Sequence, residues 1–236
     1  MKVAFEKLFS RYDKLFLFDT ETTGLKFHED QIIEFAAVVL EMVDGQVQLT
    51  RQYDELITLK PGTTVPEFIE KLTGISTGDI LQRGIPKTRL CRDIAEMIRG
   101  NTLLLAYNAH FDLSFLFYLL LGDGDPGILK GKDKLDLLTL YRDRHAYPHK
   151  LCNAIEIYGL TGKVVNSHRA VDDVIATVEV MKAMEQERDD LERYINLFGY
   201  IAKFGVDGKP IGSVTYQPQE FEPGIPIYRS VGTINS

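Results

Sequence analysis

Three observations predict an α/β fold built on a sheet of mixed direction. The apolar run over residues 15–18 ends in Asp19-Thr20-Glu21, as a buried strand does on leaving a core. Two β-type runs flank the strong hairpin turn Asp44-Gly45. The apolar run over 102–107 hands over at once to a strongly apolar helical stretch over 111–121.

The elements follow in order. Thr22-Thr23-Gly24 breaks the first strand into a turn. Residues 31–42 are mostly apolar, and 46–59 alternate with Val47, Leu49, Tyr53 and Ile57 as pairing partners, so the first three strands form an antiparallel meander closed by Pro61-Gly62. Residues 66–72 read as a short helix stopped by Gly74, and Ser76 to Asp79 as the cap of a following turn. Over 86–99, Leu90, Ile94, Met97 and Ile98 stand at helical spacing before Gly100. After the strand at 102–107 and its helix, residues 134–136 add a short strand before a helix over 137–144. A small helix spans 150–158, and a long one over 168–190 carries Val171, Val174, Ile175, Val178 and Met181 on one side. This order gives a mixed α/β sheet with helices on its faces. Beyond 190 two readings stay open: Tyr194, Leu197, Phe198 and Ile201 fit a helix, whereas Gly199, Asp207-Gly208 and Val214-Thr215-Tyr216 fit extended chain. Pro218, Pro223, Gly224 and Pro226 make the last stretch an arm and not a core element. Residues 1–190 are therefore expected to form one domain, and 191–236 a C-terminal extension.

With 236 residues and 44% hydrophobic content the chain can close one substantial core. Cys91 and Cys152 lie far apart without Cys-x-x-Cys spacing, which indicates neither a zinc knuckle nor a disulfide framework and reads as reduced, buried thiols. The N-terminus lacks an apolar leader core, and the longest apolar stretch, 115–121, is too short to span a bilayer, so a soluble, cytoplasmic protein without membrane contact is expected. A formal net charge of -7 argues, taken alone, against phosphate binding. Basic residues are nonetheless bunched: Lys130, Lys132 and Lys134 alternate, and Arg142, Arg144, His145, His149 and Lys150 cluster, as a phosphate-facing surface or as a solvated face.

The acids carry the most specific signal. Strand side chains repeat with period two, so Asp19 and Glu21 point to one side, close enough to grip one cation. Asp112, in Asn108-Ala109-His110-Phe111-Asp112, falls in the first helical turn at a strand's exit edge, the usual crevice of open α/β sheets and also a place that suits an acid structurally. In Ser167-His168-Arg169-Ala170-Val171-Asp172-Asp173, His168 stands at the mouth of the long helix and Asp173 about one turn inside.

These motifs, in this order, together with Thr22-Thr23-Gly24-Leu25, Leu72-Thr73-Gly74-Ile75-Ser76 and Lys150-Leu151-Cys152-Asn153-Ala154, closely resemble the DnaQ-like exonucleases of the DEDD superfamily. That family includes the proofreading epsilon subunits of bacterial DNA polymerase III. The likeness covers roughly residues 13–185 and implies a ribonuclease H-like domain. The tyrosine subclass would need Tyr four residues before the last acid; Arg169 stands there and His168 five before, which favours the histidine subclass.

What the resemblance implies is a cofactor of two Mg²⁺ or Mn²⁺ ions, hard cations suited to carboxylate oxygens and set about 4 Å apart. Two such ions would bring the charge of -7 to about -3. Asp19 would bridge both ions, Glu21 and Asp173 would complete the one beside the attacking water, and Asp112 would hold the other partly through water. His168 would take the proton of the attacking water. Neighbouring helix residues point about 100° apart, and spacing selects Asp173 over Asp172. Thr22, Gly24, Leu25, Ile75 and Asn108 would contact substrate, although Leu25 and Ile75 could equally fill local core.

The implied activity is 3′-5′ exonucleolytic release of nucleoside monophosphates from single-stranded or frayed DNA ends, in proofreading or repair beside a DNA polymerase acting in trans. One alternative is an exoribonuclease acting on RNA or oligoribonucleotide ends. A non-catalytic interaction module is the other, and occupation of all five catalytic positions argues against it. Gln217-Pro218-Gln219-Glu220-Phe221 distantly resembles peptides that dock replication proteins on sliding clamps, except that Glu220 takes a usually apolar place. Otherwise the arm packs on its own domain or on a second copy in a homodimer.

Overall fold

A computed structural model describes residues 3–201, 205–206 and 225–229. Three antiparallel strands, β1 (Lys14–Thr22), β2 (Ile32–Val43) and β3 (Gln46–Leu56), form the meander. Two further strands, β4 (Thr102–Ala106) and β5 (Lys134–Asp136), join parallel to β1, giving the order β3-β2-β1-β4-β5. The sheet is mixed, as expected.

Period-two alternation assigns each strand residue to a layer. On one face Leu15, Leu17, Ala36, Val38, Leu103 and Leu105 pack against helices α6 (Leu137–Arg144), α7 (Leu151–Ile157) and α8 (Ala170–Glu187). On the other, Phe16, Phe18, Phe35, Ala37 and Leu104 pack against α4 (Lys87–Met97) and α5 (Ala109–Asp123). Both faces of β1 are thus dry, which is why its sequence is apolar without interruption until Asp19.

Between β3 and β4 the chain forms α2 (Glu67–Thr73) and α3 (Thr77–Arg83). Gly74 ends α2 at φ 71°, a left-handed conformation glycine adopts without steric cost. Ser76 and Asp79 form a reciprocal capping box, so they open a full helix and not merely a turn.

Several expectations change. A short helix, α1 (Glu6–Phe9), precedes the sheet; Phe5 and Leu8 are buried, and the Glu185 carboxylate accepts the Phe5 amide at 2.9 Å. Its four residues are too few to show a period. On α8, Val174, Val178 and Met181 are buried but Ile175 is 39% exposed, because the inward face turns toward Ala170, Thr177 and Met184. Residues 191–201 are neither a regular helix nor a plain strand: a 3₁₀ turn, Leu191–Tyr194, leads to β6 (Tyr200–Ile201), which pairs with β7 (Gly205–Val206). Leu191, Tyr194, Ile195 and Leu197 enter one core layer and Phe198 the other.

Within the last stretch, Ile227 is also buried in the core, and its amide donates to Asp143. A proline-rich segment can therefore contribute to the core through one apolar side chain. The clamp-like peptide at 217–221 lies outside the described residues. Cys91 is buried as expected, but Cys152 is exposed, on the outer side of α7. The basic bunches are not a single phosphate-facing surface. Lys134 is fully buried, and Arg144 is engaged by Glu187, Asp190 and two main-chain carbonyls. No helix among the described residues is long and apolar enough to cross a membrane.

Candidate active site

The site lies where β1 leaves the core. Asp19 and Glu21 share the face of Leu15 and Leu17, so they point toward α8, whose first turn supplies Asp173. One carboxylate oxygen from each of Asp19, Glu21 and Asp173 lies within 4.8 Å of the others. Thr20 points the opposite way, toward α5. Its amide and hydroxyl donate to Asp112 Oδ1 at 3.0 and 2.7 Å, fixing that buried carboxylate beside the group.

The electrostatics follow from burying like charges together. Burial, then the charges of Asp112, Glu21, Asp173 and Glu34, push the Asp19 carboxyl well above its ordinary range. Burial and the neighbouring Asp173 and Glu34 carboxylates push Glu21 up to about 8. Asp112 is pushed up to about 7 by burial, against the lowering effect of the Thr20 hydrogen bonds. Burial also raises Asp173, opposed by a 2.7 Å bond from Asn166 and by the nearby His168. A cluster of this kind is costly in isolation and is relieved by a cation. Its donors are all carboxylate oxygens, which fits hard divalent ions.

The remaining sequence-selected residues fall in different places. His168 is exposed at the mouth, five residues before Asp173, with φ 57°. Asp172 turns aside to accept from Ser167 Oγ at 2.5 Å. Thr22 is buried, and its hydroxyl donates to the Gly24 carbonyl at 2.6 Å. A Cβ on Gly24 would come within 2.5 Å of the Asp30 carboxylate, so a larger residue would push that carboxylate off the Thr23 hydroxyl and the Lys26 amide that it holds. Leu25, next in the turn, is 81% exposed. Ile75 is instead buried with Ile33, Leu56 and Ile69, where it fills local core. Asn108 is exposed at φ 72° ahead of α5.

Two supporting acids were not singled out in the sequence. Glu34, fully buried on β2 and directly opposite Glu21 in register, accepts from Arg169 Nε and Nη2 and from the Ala170 amide. It ties the first turn of α8, and with it Asp173, to the sheet. The signal was one acid inside the otherwise apolar run 32–40. Asp136, buried at the end of β5, accepts the Asn108 and Ala109 amides at 3.0 Å and thereby seats the start of α5. A one-residue register shift at Glu21/Thr22 marks where β1 departs from β2.

A model of the exonuclease family (RNase T) matches residues 16–181, spanning this whole arrangement. The chain belongs to the DnaQ-like exonucleases. It is a 3′-5′ exonuclease of that family with a ribonuclease H-like fold. It is 34% identical over 172 residues to the DNA polymerase III subunit epsilon of Treponema pallidum, covering 71% of this chain and 74% of that protein. Against the PolC-type DNA polymerase III of Clostridium perfringens it is 32% identical, over 75% of this chain but only 12% of that much longer protein. Escherichia coli exonuclease I bound to a dT13 oligonucleotide has the same fold, with a TM-score of 0.67 at 20% identity over 77% of this chain and 43% of that one.

Proposed function

We propose that this exonuclease shortens DNA from single-stranded or frayed 3′ ends, releasing nucleoside monophosphates, with two ions of the Mg²⁺ or Mn²⁺ kind as cofactor. The observation that carries the reading is the convergence of Asp19, Glu21 and Asp173 oxygens within 4.8 Å, with Asp112 held alongside by Thr20. Ions held there would lower the pKa of the attacking water and offset charge on the phosphodiester.

The chain's own residues supply position and proton transfer. Asp19, coupled to every other acid of the cluster, is the central ligand; Glu21 and Asp173 share its face, and Asp112 reaches in from the α5 side. His168, exposed at the mouth, takes the proton of the attacking water. Leu25 projects from the Gly24 turn to pack on the terminal base, Thr22 and Gly24 shape that turn, and Asn108 faces the substrate from the start of α5. The names of the relatives support DNA as substrate and a role beside a DNA polymerase. A panel of 5′-labelled DNA and RNA oligonucleotides, single-stranded, paired and 3′-mismatched, digested with and without EDTA, tests the reading. Stepwise shortening of DNA from the 3′ end that EDTA abolishes is expected; shortening confined to RNA, or unaffected by EDTA, would overturn it.

A further inference from the structure

A cleft of about 440 Å³ opens between the loop that follows β1 and the outer half of α5, the helix whose first turn carries Asp112. No part of the chemistry described above uses it. One wall is aromatic: Phe27 and Tyr118 lie with ring centroids 5.3 Å apart, and His28 lies 5.4 Å from Phe27 and 6.4 Å from Tyr118. Tyr118 is 39% exposed, although α5 is otherwise largely buried. Lys60 and Lys87 also line the cleft. Lys87 Nζ donates to Gln31 Oε1 at 2.7 Å, and the same oxygen accepts the Lys60 amide at 2.9 Å, so Gln31 holds the two basic residues together.

Two acids also line the cleft. Asp30 is occupied by the Lys26 amide and the Thr23 hydroxyl, leaving Asp123 as the charge that faces Lys87. Two lysines and a partly exposed aromatic group lining one cleft are the components of a single-strand track, in which bases stack and lysines take phosphates.

Its placement selects the occupant. The Gln31 carbonyl accepts the Thr23 amide at 2.9 Å, so the cleft begins at the turn that presents Leu25. On α5, Tyr118 stands six residues beyond Asp112, about 9 Å along the helix axis. At about 3.4 Å per stacked nucleotide, that is roughly three nucleotides from the scissile end. Resting on the proposed nuclease reading, we infer that this cleft binds the stretch of the same strand lying 5′ to the nucleotide being removed. Phe27, His28 and Tyr118 then face its bases, and Lys60 and Lys87 its phosphates.

The test uses the full chain with Tyr118→Ala and with Lys60→Gln/Lys87→Gln. Anisotropy of a 5′-fluorescein-labelled dT20 is titrated in Ca²⁺, and Mn²⁺-dependent hydrolysis of dT20 is compared with that of the p-nitrophenyl ester of thymidine 5′-monophosphate, which has no upstream strand. Expected are about tenfold weaker dT20 binding for Tyr118→Ala. For the lysine pair, the slope of log affinity against log salt should be shallower by about 0.7 per lysine removed. In both, the dT20-to-ester ratio of kcat/KM should fall about tenfold. Unchanged affinity and salt slope, or equal loss on both substrates, would overturn the inference. Wild-type chain that cleaves neither substrate yet loses dT20 affinity in the variants would refute the nuclease reading and leave the cleft assignment standing.

Discussion

The Glu34–Arg169 contact gives the sharpest test of how the site is held. Glu34 is completely buried and accepts three hydrogen bonds, two from the Arg169 guanidinium and one from the Ala170 amide, whereas the Arg169 side chain is 37% exposed. The two partners should therefore respond unequally to removal. Arg169→Ala strands a buried carboxylate opposite Glu21 and should cost about 3–5 kcal/mol. Glu34→Gln keeps the shape and one acceptor, and water can rehydrate the half-exposed guanidinium, so its cost should be nearer 1–3 kcal/mol. The double variant removes the conflict and should fall short of the sum by about 2 kcal/mol. Because this contact seats the first turn of α8, a shift of Asp173 by about 1 Å should lower kcat by about 10² in each single variant. Urea unfolding of the metal-free protein gives the stability cycle, and steady-state hydrolysis of a dT oligonucleotide gives the activity. A strictly additive cycle, or Arg169→Ala within about 0.5 kcal/mol of wild type, would refute the positioning argument.

Asp19→Asn should abolish hydrolysis while raising the metal-free Tm by about 2–4 °C, since it removes a desolvated charge from among four others; a lower Tm with retained activity would contradict both parts. His168→Ala should lower kcat by about 10²–10⁴ with Mn²⁺ affinity, read by calorimetry, little altered; a large loss of metal binding would make His168 a ligand instead. Glu21 is raised in the folded state from its usual 4.5 to about 8, so its contribution to metal-free stability is full below about pH 4.5 and is lost as pH rises toward 8. Mg²⁺ reverses that loss, and the Tm difference between Mg²⁺ and EDTA should widen from pH 5 to pH 8. A difference independent of pH would show that the acids do not share a cation.

Much of the architecture was legible because it depends on local periodicity. The apolar runs over 15–18 and 31–42, the Asp44-Gly45 turn and the capping pair Ser76/Asp79 each encode an element within a few residues. Where periodicity was too short, as in α1, or interrupted, as over 191–201, the elements became clear only from the core that Leu8, Tyr194 and Phe198 complete. Lys134 and Arg144 looked like solvated charge in sequence, yet both side chains are buried while Lys130 and Lys150 of the same bunches are exposed, since linear spacing does not reveal depth.

By itself the sequence determined which acids stand at strand ends and helix mouths, because side-chain direction repeats with the backbone. Only the tertiary structure decided how they meet. It brought Asp173 of α8 to the face of β1 that carries Asp19 and Glu21 and placed Asp112 beyond the other, turned Leu25 outward while burying Ile75, and recruited Glu34 and Asp136 as supports. The physical reason is that register and layer packing fix which side of a strand faces which helix. These depend on partners far along the chain and leave no periodic trace at the residues they position.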